Sequence, residues 1–513
     1  MPGRPSWYGG NTTMEKTCVL LDPGYIIAPV DPRIFGGFLE HLGRAIYGGI
    51  FDPQSSLADE HGFRKDVLAA LHNLHLTTVR YPGGNFASGY HWMDGIGPKD
   101  KRPRARELAW QCIEPNQFGT DEFLGLARRM GWLPMITVNL GTGTPEEACN
   151  WVEYCNSPAG TRYADLRVAN GSIDPYGVRL WCLGNEMDGP WQLGHLPAEQ
   201  YALLASQTAK MMKDIDPTIE LVACGSSTMS GPTYMEWDRI VLEYLGPQVE
   251  YISLHRYVGN PRGDTADYLA VTNTIDRRIE DLDAVCRFVQ AKTRSKKRHY
   301  LCFDEWNVWY RTTGVEDSRG KGQVAPPLLE EFYNLEDALV VAGFLNSFIR
   351  HADAVKIANI AQMVNVIAPI HTRGDQILLQ SIYYPLAMFS NRREGGEVAL
   401  HPVVNGPAYE SPSYGEVKYI DVSAILGDGI MHVFMINRSL NEDAVVEINP
   451  GGSKFESILS AEVVTGSSPQ DRNTYEEPYR VISRSFGAGK VVDGKALVSL
   501  PPLSFVAFTL SIQ

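Results

Sequence analysis

The chain alternates between two textures, and that alternation limits what it can fold into. Eight short apolar runs rich in β-branched residues occur at Ile34–His41, Thr77–Gly83, Pro134–Leu140, Val178–Asn185, Glu220–Gly225, Tyr251–Tyr257, Tyr300–Trp306 and Val355–Met363. Amphipathic stretches of helical length separate them: Phe63–Leu74, Asp121–Met130, Pro145–Tyr154, Ala198–Ile215, Tyr234–Leu245, Asp276–Ala291, Leu335–His351 and Leu378–Asn391. In the seventh, Leu335, Leu339, Ala342, Leu345 and Ile349 fall on one helical face. Strands apolar on both sides need helices over the sheet, and strand–helix repeats give a parallel sheet. Eight such repeats predict a (β/α)8 barrel of the TIM type. A doubly wound sheet is the structural rival, but no Gly-x-Gly-x-x-Gly follows an early strand.

After about Ser390 helical periodicity stops. Short alternating strands appear at Tyr419–Ile425, Met431–Asn437 and Ala444–Ile448, and Val498–Ile512 closes the chain with a β-rich run. Gly427-Asp428-Gly429, Asn449-Pro450-Gly451-Gly452 and Pro501-Pro502 act as turns or breakers. At 513 residues the chain also exceeds what one hydrophobic core supports. The expected division is a flexible lead-in over residues 1–16, a strand segment over 17–30 that joins the C-terminal module, a catalytic barrel over 31–392, and a jelly-roll-like β-sandwich over 393–513.

Several function classes are excluded. A net charge of −14 disfavours a nucleic-acid surface, and the basic clusters Lys99–Arg104 and Arg294–Arg298 are short. No run approaches the ~20 apolar residues of a membrane span, and Met1–Lys16 lacks the apolar centre of a signal peptide. The 8 cysteines show no metal-finger spacing, so free thiols in a reducing, cytoplasmic setting are expected. His41, His91 and His255 have no His-Glu-x-x-His spacing, so neither a metal nor any other cofactor is expected.

Active sites of such barrels lie at the C-terminal strand ends. Strand one ends Phe38-Leu39-Glu40-His41, strand two Arg80-Tyr81-Pro82-Gly83-Gly84-Asn85, and strand four Gly184-Asn185-Glu186. Strand six ends His255-Arg256-Tyr257, strand seven Phe303-Asp304-Glu305-Trp306-Asn307, and strand eight carries Gln362 and Asn365. A carboxylate at strand four thus faces another at strand seven. Glycosidic cleavage needs such a pair, one as proton donor and one as anion. Glu305, among hydrogen-bonding neighbours, is expected to stay ionised, and Glu186, feeling that anion, to stay protonated. Trp110, Tyr257, Trp306, Trp309 and Tyr310 offer flat faces to sugar C–H groups. Each residue also has an ordinary reading: a lone Glu at a strand end caps a helix, His255 is a satisfied core histidine, Glu40 and His41 are a structural pair. Gly83-Gly84 lacks a phosphate-loop lysine and reads as a tight turn that aims Asn85.

Four ordered blocks make the sequence familiar: Phe38–Arg44, Arg80–Phe86, Gly184–Gln192 and Asp304–Tyr310. With them the chain resembles glycoside hydrolase family 51, the α-L-arabinofuranosidases, from about Asp31 through the barrel and onward toward the C-terminus. The resemblance implies a retaining double displacement, with Glu186 as acid/base and Glu305 as nucleophile. It implies that Glu40, Asn85, Asn185, Tyr257 and Gln362 bind the arabinofuranosyl ring, with Trp110 packed over it; His255 is counted among the binding residues. The substrates would be terminal α-L-arabinofuranosyl units of arabinan, arabinoxylan or their oligosaccharides. An intracellular hexamer without a cofactor is implied as well. One departure is Glu114-Pro115-Asn116-Gln117, which carries Gln117 where the family usually has Glu and Pro115 where Thr is common. Two other readings remain open: a barrel glycosidase acting on β-xylosides or β-glucans, and a catalytically silent carbohydrate-binding protein.

Overall fold

The computed structural model describes residues 14–313, 320, 322–487 and 489–513. Residues 1–13, most of the expected lead-in, and residues 314–319 and 321, within the loop that follows strand seven, lie outside the described residues. Eight parallel strands close a barrel: β1 (Gly36–Phe38), β2 (Thr78–Tyr81), β3 (Leu133–Thr137), β4 (Leu180–Leu183), β5 (Glu220–Ala223), β6 (Tyr251–Val258), β7 (Tyr300–Val308) and β8 (Val355–Ala361). β8 returns to β1 with Asn359 opposite Gly36 and Ala361 opposite Phe38. Glycine is required at that seam. A Cβ on Gly36 would lie 2.5 Å from Asn359 Nδ2, and one on Gly37 2.6 Å from Met363 Sδ. Each runs in the order and near the range that the alternation predicts.

The lower barrel interior is filled by Met135, Leu180, Cys182, Val222, Tyr251, Cys302 and Ile357, so Cys182 and Cys302 act as small apolar wedges. Above this layer the interior turns polar, and the site begins there. Among the described residues no helix is long and apolar enough to cross a membrane.

The C-terminal module packs two large sheets over a shared core and adds a hairpin of Ala408–Ser411 and Gly415–Lys418. The five-stranded sheet places Thr17–Leu20 between Val403–Asn405 and Ala444–Asn449, followed by Lys495–Leu500 and Gly489–Val492. The seven-stranded sheet runs Ile26–Pro29, Val398–Leu400, Ile420–Leu426, Ile430–Asn437, Ser504–Ile512, Phe455–Val464 and Arg484–Ser485. Its central strands are buried on both faces, and period-two geometry sorts their residues. Val422, Val433, Met435, Val506 and Phe508 face the sandwich core. Ile425, Phe434, Ile436, Phe505 and Ala507 face the barrel.

Two expectations change. Within Leu378–Asn391 the helix covers only Tyr383–Ser390, because a hairpin of Ile370–Arg373 and Gln376–Leu379, turning at left-handed Gly374, takes the first residues. The closing run Val498–Ile512 is two strands in different sheets, since Pro501-Pro502 cannot supply ladder N–H groups.

Barrel and module are joined by an aromatic contact flanked by a polar one. Phe389 stacks on Phe434 at 4.1 Å and on Phe505 at 5.0 Å between ring centroids. Beside it Asp421 accepts from Arg350 at 3.0 Å and from Asn346 at 2.9 Å. Phe389→Ala should therefore cost about 3–5 kcal/mol, the usual loss for a buried aromatic ring. Denaturant titration would read it, and a change below ~1 kcal/mol would show that the stack does not hold the two parts together.

Candidate active site

The site is built up from a buried cation. Arg80 points from β2 into the barrel, wholly shielded from solvent, with its guanidinium 4.8 Å above the ring of Phe38. Its Nη1 donates to Glu305 Oε1 at 2.6 Å, Nη2 to Asn185 Oδ1 at 2.7 Å and Nε to Thr137 at 3.1 Å, and Asp304 Oδ2 lies 3.2 Å from Nε. One side chain thus fixes residues from three other strand ends, those of β3, β4 and β7. Asp304, on the other side, also accepts from Ser253 and lies 3.3 Å from His255 Nε2. Burial disfavours the Asp304 anion, but Arg80 and His255 hold its carboxyl below the usual range.

Glu305 and Glu186 meet over this floor. Glu305 Oε2 accepts from Tyr257 Oη at 2.9 Å. Gly84 runs so close that a Cβ there would sit 2.7 Å from Glu305 Oε1. Glu186 follows a sharp turn in which both Gly184 (φ 86°) and Glu186 (φ 42°) are left-handed. For glutamate that conformation costs on the order of 1–3 kcal/mol, the kind of strain that gathers at functional sites. Glu186 Oε1 accepts from His255 Nδ1 at 2.8 Å and Oε2 from Trp191 Nε1 at 2.5 Å. Glu186, His255 and Glu305 bring one ligand-type atom each within 4.8 Å of one another. Such a trio could in principle hold a metal ion. Here, however, each of the four carboxylate oxygens already accepts from a protein donor.

The electrostatics correct one sequence expectation. Burial opposes a charge on His255, but Glu305 and Asp304, with the Asp304 and Glu186 hydrogen bonds, push the imidazole up to about 10. Burial would raise Glu186, yet the His255 hydrogen bond and charge, then Trp191, hold it below the ordinary value. The proton expected on Glu186 thus rests on His255. The anion of Glu305 is felt, as anticipated, but the imidazole standing between the two carboxylates responds to it.

Opposite, Glu40 and Gln362 pair reciprocally: Glu40 N donates to Gln362 Oε1 at 3.0 Å and Gln362 Nε2 to Glu40 Oε2 at 3.2 Å. Glu40 Oε1 accepts from Phe86 N at 3.0 Å and Trp110 Nε1 at 3.2 Å. Burial first, and then the charge of Glu305, push Glu40 up to about 8. Asn185 Nδ2 reaches Asn85 Oδ1 at 3.4 Å. Glu40, Asn85, Trp110, Glu186, His255, Tyr257, Glu305 and Gln362 thus line one cleft, with Asn185 just beneath it. His41 instead lies under the wall, bonded to Glu114 and Tyr81 and stacked on Phe86 at 4.7 Å. Gln117 donates to the carbonyls of Lys99 and Pro115. Trp110 is held by Glu107 and Glu40, so the departure at Gln117 braces a turn and does not carry that ring.

Two aromatic expectations fail. Trp306 is 1% exposed and packs behind β7 on Phe344 and Phe348. Tyr310 lines a neighbouring pocket with Asn260 and Phe332. Trp309 and Trp191 do face the cleft. Sequence reasoning passed over Arg80 and Asp304. Their signal was present, since a lone arginine within an apolar barrel strand requires a buried counter-ion.

Profiles of two protein families match the chain. Residues 70–274 match the α-L-arabinofuranosidase 1 domain and residues 304–504 the α-L-arabinofuranosidase C-terminal domain. The chain is 44% identical over 475 residues (91% of this chain, 94% of the relative) to an intracellular exo-α-(1→5)-L-arabinofuranosidase of Acetivibrio thermocellus. It is 43% identical over 504 residues (98% and 100%) to intracellular exo-α-(1→5)-L-arabinofuranosidase 1 of Bacillus subtilis. Among solved structures, a family 51 α-L-arabinofuranosidase from Bifidobacterium longum superposes with a TM-score of 0.93 at 35% identity, covering 97% of this chain and 100% of that one.

The charge arrangement has a spectroscopic consequence. With 15N-labelled histidine, and His255→Gln to assign the signal, His255 should carry protons on both ring nitrogens at pH 8 and lose one only near pH 10. A neutral ring at pH 8 would contradict the assignment of the proton to His255.

Proposed function

The chain belongs to glycoside hydrolase family 51, the α-L-arabinofuranosidases, and on that premise we propose that it releases terminal α-L-arabinofuranosyl units from arabinan, arabinoxylan or their oligosaccharides with retention of configuration. The observation that carries the mechanism is the separation of the carboxylates. Glu186 and Glu305 bring oxygens within 4.8 Å of each other, which supports the spacing of about 5–5.5 Å for a nucleophile and leaves little room for the ~6.5–9.5 Å of an inverting water.

In this reading Glu305 attacks the anomeric carbon and forms a glycosyl ester while the aglycone oxygen takes a proton from Glu186. Glu186 draws that proton across its 2.8 Å bond from His255 Nδ1. Glycosylation neutralises Glu305, the strongest of the charges that hold the proton on His255, so the imidazole releases it when the leaving group needs it. Before the step the three groups carry −1, −1 and +1; in the intermediate Glu186 alone remains charged. The total over these three groups stays at −1, so the step strands no additional charge in the cleft. Water then attacks the anomeric carbon and gives up one proton, through Glu186 to His255; the bond to Glu305 breaks, the sugar leaves with the new hydroxyl, and the starting charges are restored. Glu40, Asn85, Asn185, Tyr257 and Gln362 hold the ring hydroxyls, and Trp110 covers the ring.

The relatives named intracellular support a cytoplasmic enzyme. Assembly as a hexamer is supported by the family resemblance and by Leu203, Tyr244 and Phe288, exposed apolar side chains on three barrel helices. Light scattering at micromolar concentration should report an oligomer, and a monomer alone would refute it.

The roles of the two glutamates are tested by azide. Glu186→Ala on 2,4-dinitrophenyl α-L-arabinofuranoside should accumulate glycosyl-enzyme, and azide should give a glycosyl azide of retained configuration. Glu305→Ala can only admit azide from the vacated face and should give the inverted product. An inverted azide from Glu186→Ala would reverse the assignment.

A further inference from the structure

The cleft has two walls of different chemistry. Glu40, Asn85, Trp110 and Gln362 come from the β8, β1 and β2 ends and the following loop, and face the glycone in the reading above. Across Glu186, the other wall is made by Ser227 and Thr228 after β5, Arg256 on β6 and Arg278 on the helix Thr272–Thr293, with Trp191 at the rim. Glu186 protonates the departing oxygen, so the leaving group lies on this second side.

Two arginines stand there without an ion-pair partner among the described residues. Arg256, half-buried between His255 and Tyr257, donates from Nη2 to Thr274 Oγ1 at 3.2 Å, while its buried Nε has no partner among the described residues. Arg278, fully buried on the helix Thr272–Thr293, donates from Nη2 to the Ser226 carbonyl at 2.6 Å, and its Nε and Nη1 have none. Among the described residues neither lies in an ion pair with a carboxylate, whereas Arg33, Arg64, Arg80, Arg102 and Arg350 all do. The neighbours of Arg278 are the Tyr234 ring, 5.7 Å from its guanidinium, and the acids Asp238 and Asp188. Asp238 is engaged with Ser226; Asp188 accepts from Ser227 through Oδ2, while its buried Oδ1 has no partner among the described residues. Burial lowers both guanidinium groups, Arg278 to about 10, where Arg256 contributes to the lowering. Two cations withdrawn from water with three unpartnered nitrogens are costly. A planar fork of N–H donors is the group best shaped to receive a carboxylate. Trp191, 53% exposed, adds a flat apolar face for a sugar ring.

We propose that the leaving-group side of the cleft is a carboxylate subsite, in which Arg256 receives the acid group of a uronic acid unit in the aglycone and Arg278, behind it, adds the second positive charge. The proposal rests on the assignment of Glu186 as acid/base of an arabinofuranosidase. It makes the enzyme's preferred substrates acidic glycans in which arabinofuranose is attached at or next to a uronic acid.

The test compares 4-carboxyphenyl α-L-arabinofuranoside with its methyl ester. The ester is the better leaving group, so chemistry alone favours it. The free acid should nonetheless show kcat/KM about tenfold higher at low salt, a preference that shrinks as ionic strength screens the half-buried arginine. Arg256→Met should lower the acid-to-ester ratio about tenfold, and Arg256→Lys should keep part of it. The wild-type ratio and its salt dependence stand even if the variants fold poorly. Turnover of the ester with a ratio at or below one overturns the subsite while leaving the arabinofuranosidase reading intact. A high ratio that Arg256→Met does not change overturns the role of Arg256. Failure to hydrolyse either substrate overturns the underlying reading and the subsite with it.

Discussion

Arg80 carries a full positive charge to a place where no water can solvate it. It is tolerated because Asp304 and Glu305 meet it at 3.2 and 2.6 Å, and because Asn185 and Thr137 accept from its Nη2 and Nε. Buried pairs of this kind add little net stability but are costly to break. Their value here is positional. The fork of one guanidinium orients a carboxylate from β7 and an amide from β4, and His255 ties the same network to Glu186. Two cations and three anions thus share a floor roughly one residue deep, and the protonation of any one is set by the others.

That coupling explains why the site resists reading residue by residue. The strand-end glutamates were legible: each falls beside an asparagine or aromatic residue at the end of an apolar run, at opposite sides of an eight-strand alternation. The location of the proton was not legible, because it depends on the charges that Glu305 and Asp304 bring to His255, a juxtaposition of two strand ends that no local pattern records. Trp306 misled for a related reason. In a strand whose residues alternate between two faces, its neighbours Glu305 and Asn307 took the inward side, leaving the indole to pack against Phe344 and Phe348.

The fold was more legible than the site, because periodicity averages over many residues whereas a site depends on a few. All eight barrel strands follow the apolar alternation. What escaped was set by single turn-forming or ladder-breaking residues and by the packing of the two parts on each other. Gly374 turns a hairpin where apolar spacing suggested only a helix, and Pro501-Pro502 divides a run of uniform composition between two sheets. The inward or outward sense of the sandwich strands also depends on the barrel beside them. Phe434 and Val433 differ little in hydrophobicity, yet one faces a helix of the barrel and the other the sandwich core.

The strand Thr17–Leu20 lies between Val403–Asn405 and Ala444–Asn449, so nearly the whole chain separates it from its partners. During synthesis at roughly 5–20 residues per second, this strand emerges tens of seconds before anything it can pair with. The barrel can close in the meantime, but Leu335–Arg350 and Tyr383–Ser390 then present to water the apolar faces that the seven-stranded sheet later covers. The nascent chain therefore passes through an interval with a finished barrel, an exposed flank and a loose leading strand. That interval, rather than the stability of the mature molecule, is where aggregation would compete with folding, and where a chaperone or a relocated chain terminus would have its largest effect on yield.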